Sequence, residues 1–180
     1  MSMPGRIWVA LVLGAIAIPL GEAAQVVDLV SLVRGGNLHV SFRVEDGFPE
    51  EIERDIETGL EVSFRYNVEL KGVRSIWPDA LIAKREVRTM VSYDNLTKRY
   101  SLTREVDGEI DKTAMVADAD AMRRFMTSVE TLSVIEVSVM EPNDEYYLRV
   151  NGVMKDRNLL LFIPWDISAS WKESRFTYLR

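Results

Sequence analysis

Apolar and polar residues alternate along much of the chain, most regularly from Leu60 to Leu70. Apolar side chains there occupy every second position, and polar or charged residues fill the positions between them. This period of two predicts a strand with one buried face and one wet face, which is typical of antiparallel sheet. Further strands are predicted at 26–33, 38–44, 87–93, 100–106, 135–139, 146–150, 159–165 and 167–178.

Turn-forming residues connect several of these strands. Gly35-Gly36 predicts a hairpin between the first two strands, because glycine adopts positive φ at little cost. The segments 94–97 and 141–144 predict two more, the second joining the strands at 135–139 and 146–150. Consecutive hairpins of this kind predict an antiparallel meander.

Two segments have helical spacing instead. The segment 49–58 begins with Pro49, carries acidic residues in its first turn and places Ile52 and Ile56 four residues apart. Apolar residues recur at steps of three and four over 114–132, which predicts a longer amphipathic helix. We therefore expect an α+β fold, mainly an antiparallel β-sandwich or strongly curved sheet with two helices, forming a single domain over 25–180.

The amino-terminal segment has the pattern of a secretion signal. Arg6 precedes an uncharged apolar stretch from Ile7 to Leu20, and small residues follow near Ala23. This stretch of fourteen residues is shorter than the roughly 20 that cross a bilayer. We expect residues 1–24 to be a cleaved signal peptide, with an uncleaved amino-terminal anchor as the alternative. The remaining domain is then expected in the periplasm or outside the cell, without a stable membrane span.

Composition narrows the classes of function. The chain has no cysteine, which excludes disulfides, thiolate metal sites and cysteine nucleophiles. Its net charge is −6, and we expect no nucleic acid partner because such binding requires clustered Lys and Arg.

Residues that could carry catalysis are sparse. His39 is the only histidine, and strand alternation places it on a polar face beside Ser41, where an ordinary surface role is expected. Asp107, Glu109 and Asp111 alternate but lack the glycine position and the closing acid of a calcium loop, so they predict a solvated turn. The sequence therefore predicts no catalytic, metal or cofactor residues and a protein that is not an enzyme.

Aromatic residues and methionines supply the candidate binding residues. Methionine adapts to irregular apolar surfaces, and aromatic residues often anchor interfaces. Sheet and helix packing explains the same residues without any ligand. The candidates for a ligand or partner surface are Met122, Met126, Tyr146, Tyr147, Trp165 and Trp171.

The segment from Tyr93 to Tyr100, with Asp94, Leu96, Thr97 and Arg99 at fixed spacing, resembles the DUF4390 family, bacterial proteins with a domain of unknown function. The resemblance extends to the strand at 60–70, the strand 146–150 and the stretch around Trp165 and Trp171. It implies an exported protein of Gram-negative bacteria, often encoded beside an envelope sensor kinase. It supplies no catalytic residues.

Two functions are expected from these observations. The first is a non-enzymatic accessory module of the cell envelope that binds another protein and is linked to a membrane sensor kinase. The alternative is a carrier that holds a lipid or small hydrophobic ligand in a cavity between the sheet and the methionine-rich helix.

Overall fold

The structure is a computed structural model that describes residues 24–154 and 167–179. Residues 1–23 of the predicted signal peptide, the predicted strand at 159–165 and Trp165 lie outside these residues. Within them the chain forms nine strands and two α-helices: β1 Gln25–Arg34, β2 Asn37–Glu45, α1 Glu50–Glu57, β3 Val62–Gly72, β4 Ala80–Asp94, β5 Arg99–Val106, β6 Glu109–Val116, α2 Ala119–Thr127, β7 Ser128–Glu136, β8 Glu145–Met154 and β9 Ile167–Thr177.

The strands form two sheets in which every pair is antiparallel. One sheet has the order β1-β2-β7, and the other has the order β6-β5-β4-β3-β8-β9. The chain passes between the sheets three times, through α1, through α2 and through a short 3-10 helix at Val137–Val139. Strands β1 and β9 contact each other where the two sheets meet. The predicted antiparallel α+β fold with two helices is confirmed.

The core lies between the inner faces of the sheets and beneath the helices. On β3, Phe64, Tyr66, Val68 and Leu70 are fully buried, as the alternation predicts. The alternating polar side chains of this strand lie on the outer face of the larger sheet. Each large apolar side chain buried this way contributes roughly 1.5–3 kcal/mol, so the inner faces are the main source of stability.

The helix predicted over 114–132 is wrong in its length, because α2 covers only Ala119–Thr127. The Asp118 carboxylate begins the helix by accepting a hydrogen bond from the Ala121 backbone N–H at 2.8 Å. A bulge with Thr131 at φ 57° lets Val129 and Leu132 of β7 both face the core although they are three residues apart. That spacing resembles a helical stripe, but it belongs to a strand.

Two further predictions are corrected by the pairing of the strands. The hairpin predicted across 141–144 is wrong, because β7 pairs with β2 in one sheet and β8 pairs with β3 and β9 in the other. Residues 114–116, predicted as the start of the longer helix, belong instead to β6, which pairs with β5 through a hairpin whose turn residues Asp107 and Gly108 both have positive φ.

Candidate interaction surface

The two candidate methionines lie in the core. Met122 and Met126 are fully buried on α2, and the Met126 carbonyl oxygen accepts hydrogen bonds from the Tyr66 hydroxyl at 2.6 Å and the Thr89 hydroxyl at 3.3 Å. They pack the helix against the sheets and present no accessible surface. A ligand cavity between helix and sheet would require these side chains to move.

The neighbouring candidates Tyr146 and Tyr147 point to opposite faces of β8. Tyr146 faces inward, is almost fully buried and stacks on Phe176 with ring centroids 6.0 Å apart. Its hydroxyl accepts a hydrogen bond from the Glu141 backbone N–H at 2.8 Å. Tyr146 therefore fixes the segment before β8 and has a structural role.

On the outer face, Tyr147 is only 6% exposed, because it lies beneath Arg175 and the loop between β3 and β4, which it links to β9. Its hydroxyl donates a hydrogen bond to Asp79 at 3.0 Å, and the Arg175 guanidinium lies 5.5 Å from its ring centroid. The Arg74 backbone N–H also donates to Asp79, at 3.1 Å, and these two hydrogen bonds hold the pKa of the Asp79 carboxyl below its ordinary value. Burial and the bond to Asp79 raise the pKa of Tyr147.

Trp171 lies on the same outer face and is 40% exposed. Its ring stacks on Arg149, whose guanidinium carbon is 4.3 Å from the ring centroid. Arg149 in turn donates a hydrogen bond from Nε to a Glu69 carboxylate oxygen at 2.8 Å, and its Nη2 lies 2.7 Å from the same oxygen in an ion pair. The carboxylate therefore holds the guanidinium in place beneath the indole.

Strand register brings these side chains together from distant parts of the sequence. Glu69 of β3 lies directly opposite Arg149 of β8, and β9 carries one extra residue near Trp171, opposite Asn151. We call the resulting group the aromatic–arginine face. Its members are Glu69, Tyr147, Arg149, Trp171 and Arg175.

Sequence reasoning missed two exposed apolar groups. Ile76 and Trp77, in the loop between β3 and β4, are 90% and 72% exposed. Their signal is an apolar pair set between the turn-forming residues Ser75 and Pro78. On β1, Val30 and Leu32 are also exposed, because Asp28 has positive φ and a bulge shifts the alternation of that strand.

A groove of about 680 Å³ lies at one end of the molecule. Its lining includes Gly36 of the β1–β2 turn, Glu136, Glu141 and Tyr178. Among residues 24–154 and 167–179, no cluster of three or more His, Asp or Glu side chains is arranged to hold a metal ion. None of the helices formed by these same residues has the length and hydropathy to span a membrane.

A protein-family model matches almost all of the described fold. Residues 22–174 match the family described as a domain of unknown function, DUF4390. The chain belongs to that family. The match covers all nine strands except the last residues of β9, and it confirms the resemblance seen in the sequence. No curated protein and no solved structure was found to match the chain.

Proposed function

We propose that this DUF4390 protein is a non-enzymatic module of the bacterial cell envelope that binds another protein through its aromatic–arginine face. The proposal includes export to the periplasm and an accessory role beside a membrane sensor kinase, as the family resemblance implies. The observation that carries it is the half-exposed Trp171, held on an arginine that is itself fixed by a carboxylate.

The composition of this face supports binding to a protein. Trp, Tyr and Arg are the residues most enriched where a few side chains dominate the binding energy of protein interfaces. Because Glu69 already orders Arg149 and Arg149 already orders Trp171, little side-chain entropy is lost when a partner packs against the indole. A rigid aromatic anchor of this kind favours a stable complex.

The charges of the face indicate the chemistry of the partner. The Arg175 side chain is 60% exposed and contacts Glu145 at 3.4 Å, which leaves much of the guanidinium accessible to an incoming carboxylate. Trp171 offers an apolar surface beside it. We expect the partner to place an apolar side chain on Trp171 and an acidic side chain near Arg175.

Replacing Trp171 with Ala is expected to lower the recovery of the partner by about tenfold or more, because it removes the aromatic anchor. The measurement is quantitative co-purification of the full chain from crosslinked cell envelopes. Met115→Ala is the matched control, since Met115 is an exposed apolar residue on β6 at the opposite edge of the sheet. Equal recovery with the two variants would contradict the proposal, as would failure to recover any partner with the unaltered chain.

A further inference from the structure

The loop between β3 and β4 presents two adjacent large apolar side chains at its tip. Ile76 is 90% exposed and Trp77 is 72% exposed, and Pro78 follows them. Leu81, at the start of β4, is also 54% exposed. Exposed apolar groups of this kind mark sites that contact a protein or a membrane.

Hydrogen bonds at the base of this loop hold it against the sheet. Asp79 accepts hydrogen bonds from the Arg74 backbone N–H and the Tyr147 hydroxyl, and the Val73 backbone N–H donates to the Glu145 carbonyl at 2.9 Å. These contacts tie both ends of the loop to the sheet. The tip is therefore presented to its surroundings in a fixed position.

The segment that contains the tip is basic in sequence, although two of its four cations are paired. Residues 71–85 contain four basic residues and one acid, Asp79, although the net charge of the chain is −6. Arg85 is turned inward, where it donates to the Val134 carbonyl and to Asp107, and Lys71 and Lys84 lie near Glu69 on the outer face. Arg74 is exposed within the loop itself. The tip thus combines an aromatic and an aliphatic side chain with one exposed cation, Arg74.

The small area of the tip favours a bilayer over a protein pocket. A stable protein interface buries roughly 800 Å² on each partner, whereas a Trp side chain offers about 150–250 Å². A bilayer needs no complementary surface. Tryptophan prefers the headgroup region, an aliphatic side chain can reach the acyl boundary, and a cation such as Arg74 attracts anionic lipids.

We infer that the β3–β4 loop docks the protein on the surface of an anionic phospholipid bilayer by inserting Ile76 and Trp77. Arg74 then lies at the level of the lipid phosphates. This contact uses side chains other than those of the aromatic–arginine face. Docking on a bilayer and binding of a protein partner can therefore be tested independently.

The test exploits the absence of cysteine from the chain. An environment-sensitive fluorophore is attached through Ser75→Cys, which keeps Ile76 and Trp77 intact, and the full chain is mixed with phosphatidylglycerol vesicles that contain a lipid-bound quencher. The matched control is Asn95→Cys, in the β4–β5 turn at the opposite end of β4, beside Leu96, which is 95% exposed. Every variant carries the same amino-terminal apolar segment. A difference in fluorescence between the two label positions therefore reports on the tip and not on that segment.

We expect a blue shift and quenching for the label at position 75 and neither for the label at position 95. Adding Trp77→Ala should lower the ratio of inserted to withdrawn tip by about tenfold or more, and phosphatidylcholine vesicles should give a weaker response. Trp171→Ala should leave the response unchanged. Equal responses at the two labels, or no effect of Trp77→Ala, would overturn the inference. A response to lipid-free envelope proteins and none to vesicles would overturn it in favour of a protein partner.

Discussion

Tyr66→Ala is expected to lower the free energy of unfolding by about 3–5 kcal/mol, the largest effect of a single substitution that we predict. The Tyr66 ring is fully buried and packs edge-on against Phe42, with ring centroids 5.4 Å apart. Phe42 lies on the smaller sheet and Tyr66 on the larger, so the alanine would leave a cavity between the two sheets. Urea unfolding followed by circular dichroism measures the change.

The variant Tyr66→Phe removes the hydroxyl and keeps the ring, so it measures the contribution of the hydroxyl alone. We expect the free energy of unfolding to fall by about 1 kcal/mol, because the Met126 carbonyl loses its 2.6 Å donor and keeps only the 3.3 Å contact from Thr89.

Burial raises the pKa of Tyr66 well above its ordinary value. Above about pH 10 the unfolded state therefore binds fewer protons than the folded state, and the stability of the unaltered chain falls as pH rises.

The free energy of unfolding of Tyr66→Phe should fall less steeply than that of the unaltered chain as the pH rises above about 10. Tyr100 and Tyr147, whose pKa values are also raised, should preserve part of the slope. A cost near 1 kcal/mol for Tyr66→Ala, or identical alkaline slopes for the unaltered chain and Tyr66→Phe, would show that Tyr66 does not join helix α2 to the sheets in this way.

Glu69→Ala should have the second largest effect, roughly 1–3 kcal/mol. Glu69 and Arg149 are 13% and 25% exposed at their side chains, so the alanine leaves a largely buried guanidinium without its carboxylate. Released from Glu69, Arg149 should no longer hold Trp171 in one position. Chemical unfolding measures the stability, and near-ultraviolet circular dichroism measures the order of the indole.

A double-mutant cycle isolates this contact. If Glu69 and Arg149 act as a pair, Glu69→Ala and Arg149→Ala combined should destabilise less than the sum of the two single changes, by about 1 kcal/mol or more. Glu69→Gln serves as the conservative variant, because its amide oxygen can still accept a hydrogen bond from Arg149. Additive single changes, or equal effects of Ala and Gln, would contradict the role assigned to Glu69.

The alternation of apolar residues was sufficient to predict most of the strands. On β3 every predicted buried position from Val62 to Leu70 is buried, because the pairing register runs without a shift over these residues and one face of the strand lies on the core. The pattern was misleading where the backbone departs from regular pleating. The bulge at Thr131 makes a strand resemble a helix, and no local signal reveals it.

The candidate surface was only partly predictable, because it depends on contacts between strands that are distant in sequence. Tyr147 and Trp171 were candidates because aromatic residues often anchor interfaces, but the pairing of Glu69 with Arg149 joins residues eighty positions apart. The methionines of α2 were candidates because methionine adapts to apolar surfaces, but they are buried, because one face of the helix packs against strands of both sheets. Arg85 lies within a basic cluster of the sequence, yet it points inward to the Val134 carbonyl.

The central claim is that a protein partner binds the aromatic–arginine face. The most direct measurement replaces Glu173, which lies opposite Arg149 on β9, with a photo-crosslinking amino acid in living cells. The same replacement at Thr113, on the exposed β6 edge, is the control. We predict a discrete protein adduct from position 173 that disappears with Trp171→Ala and persists with Trp77→Ala. An adduct of equal yield from position 113, or one that survives Trp171→Ala, would contradict the account.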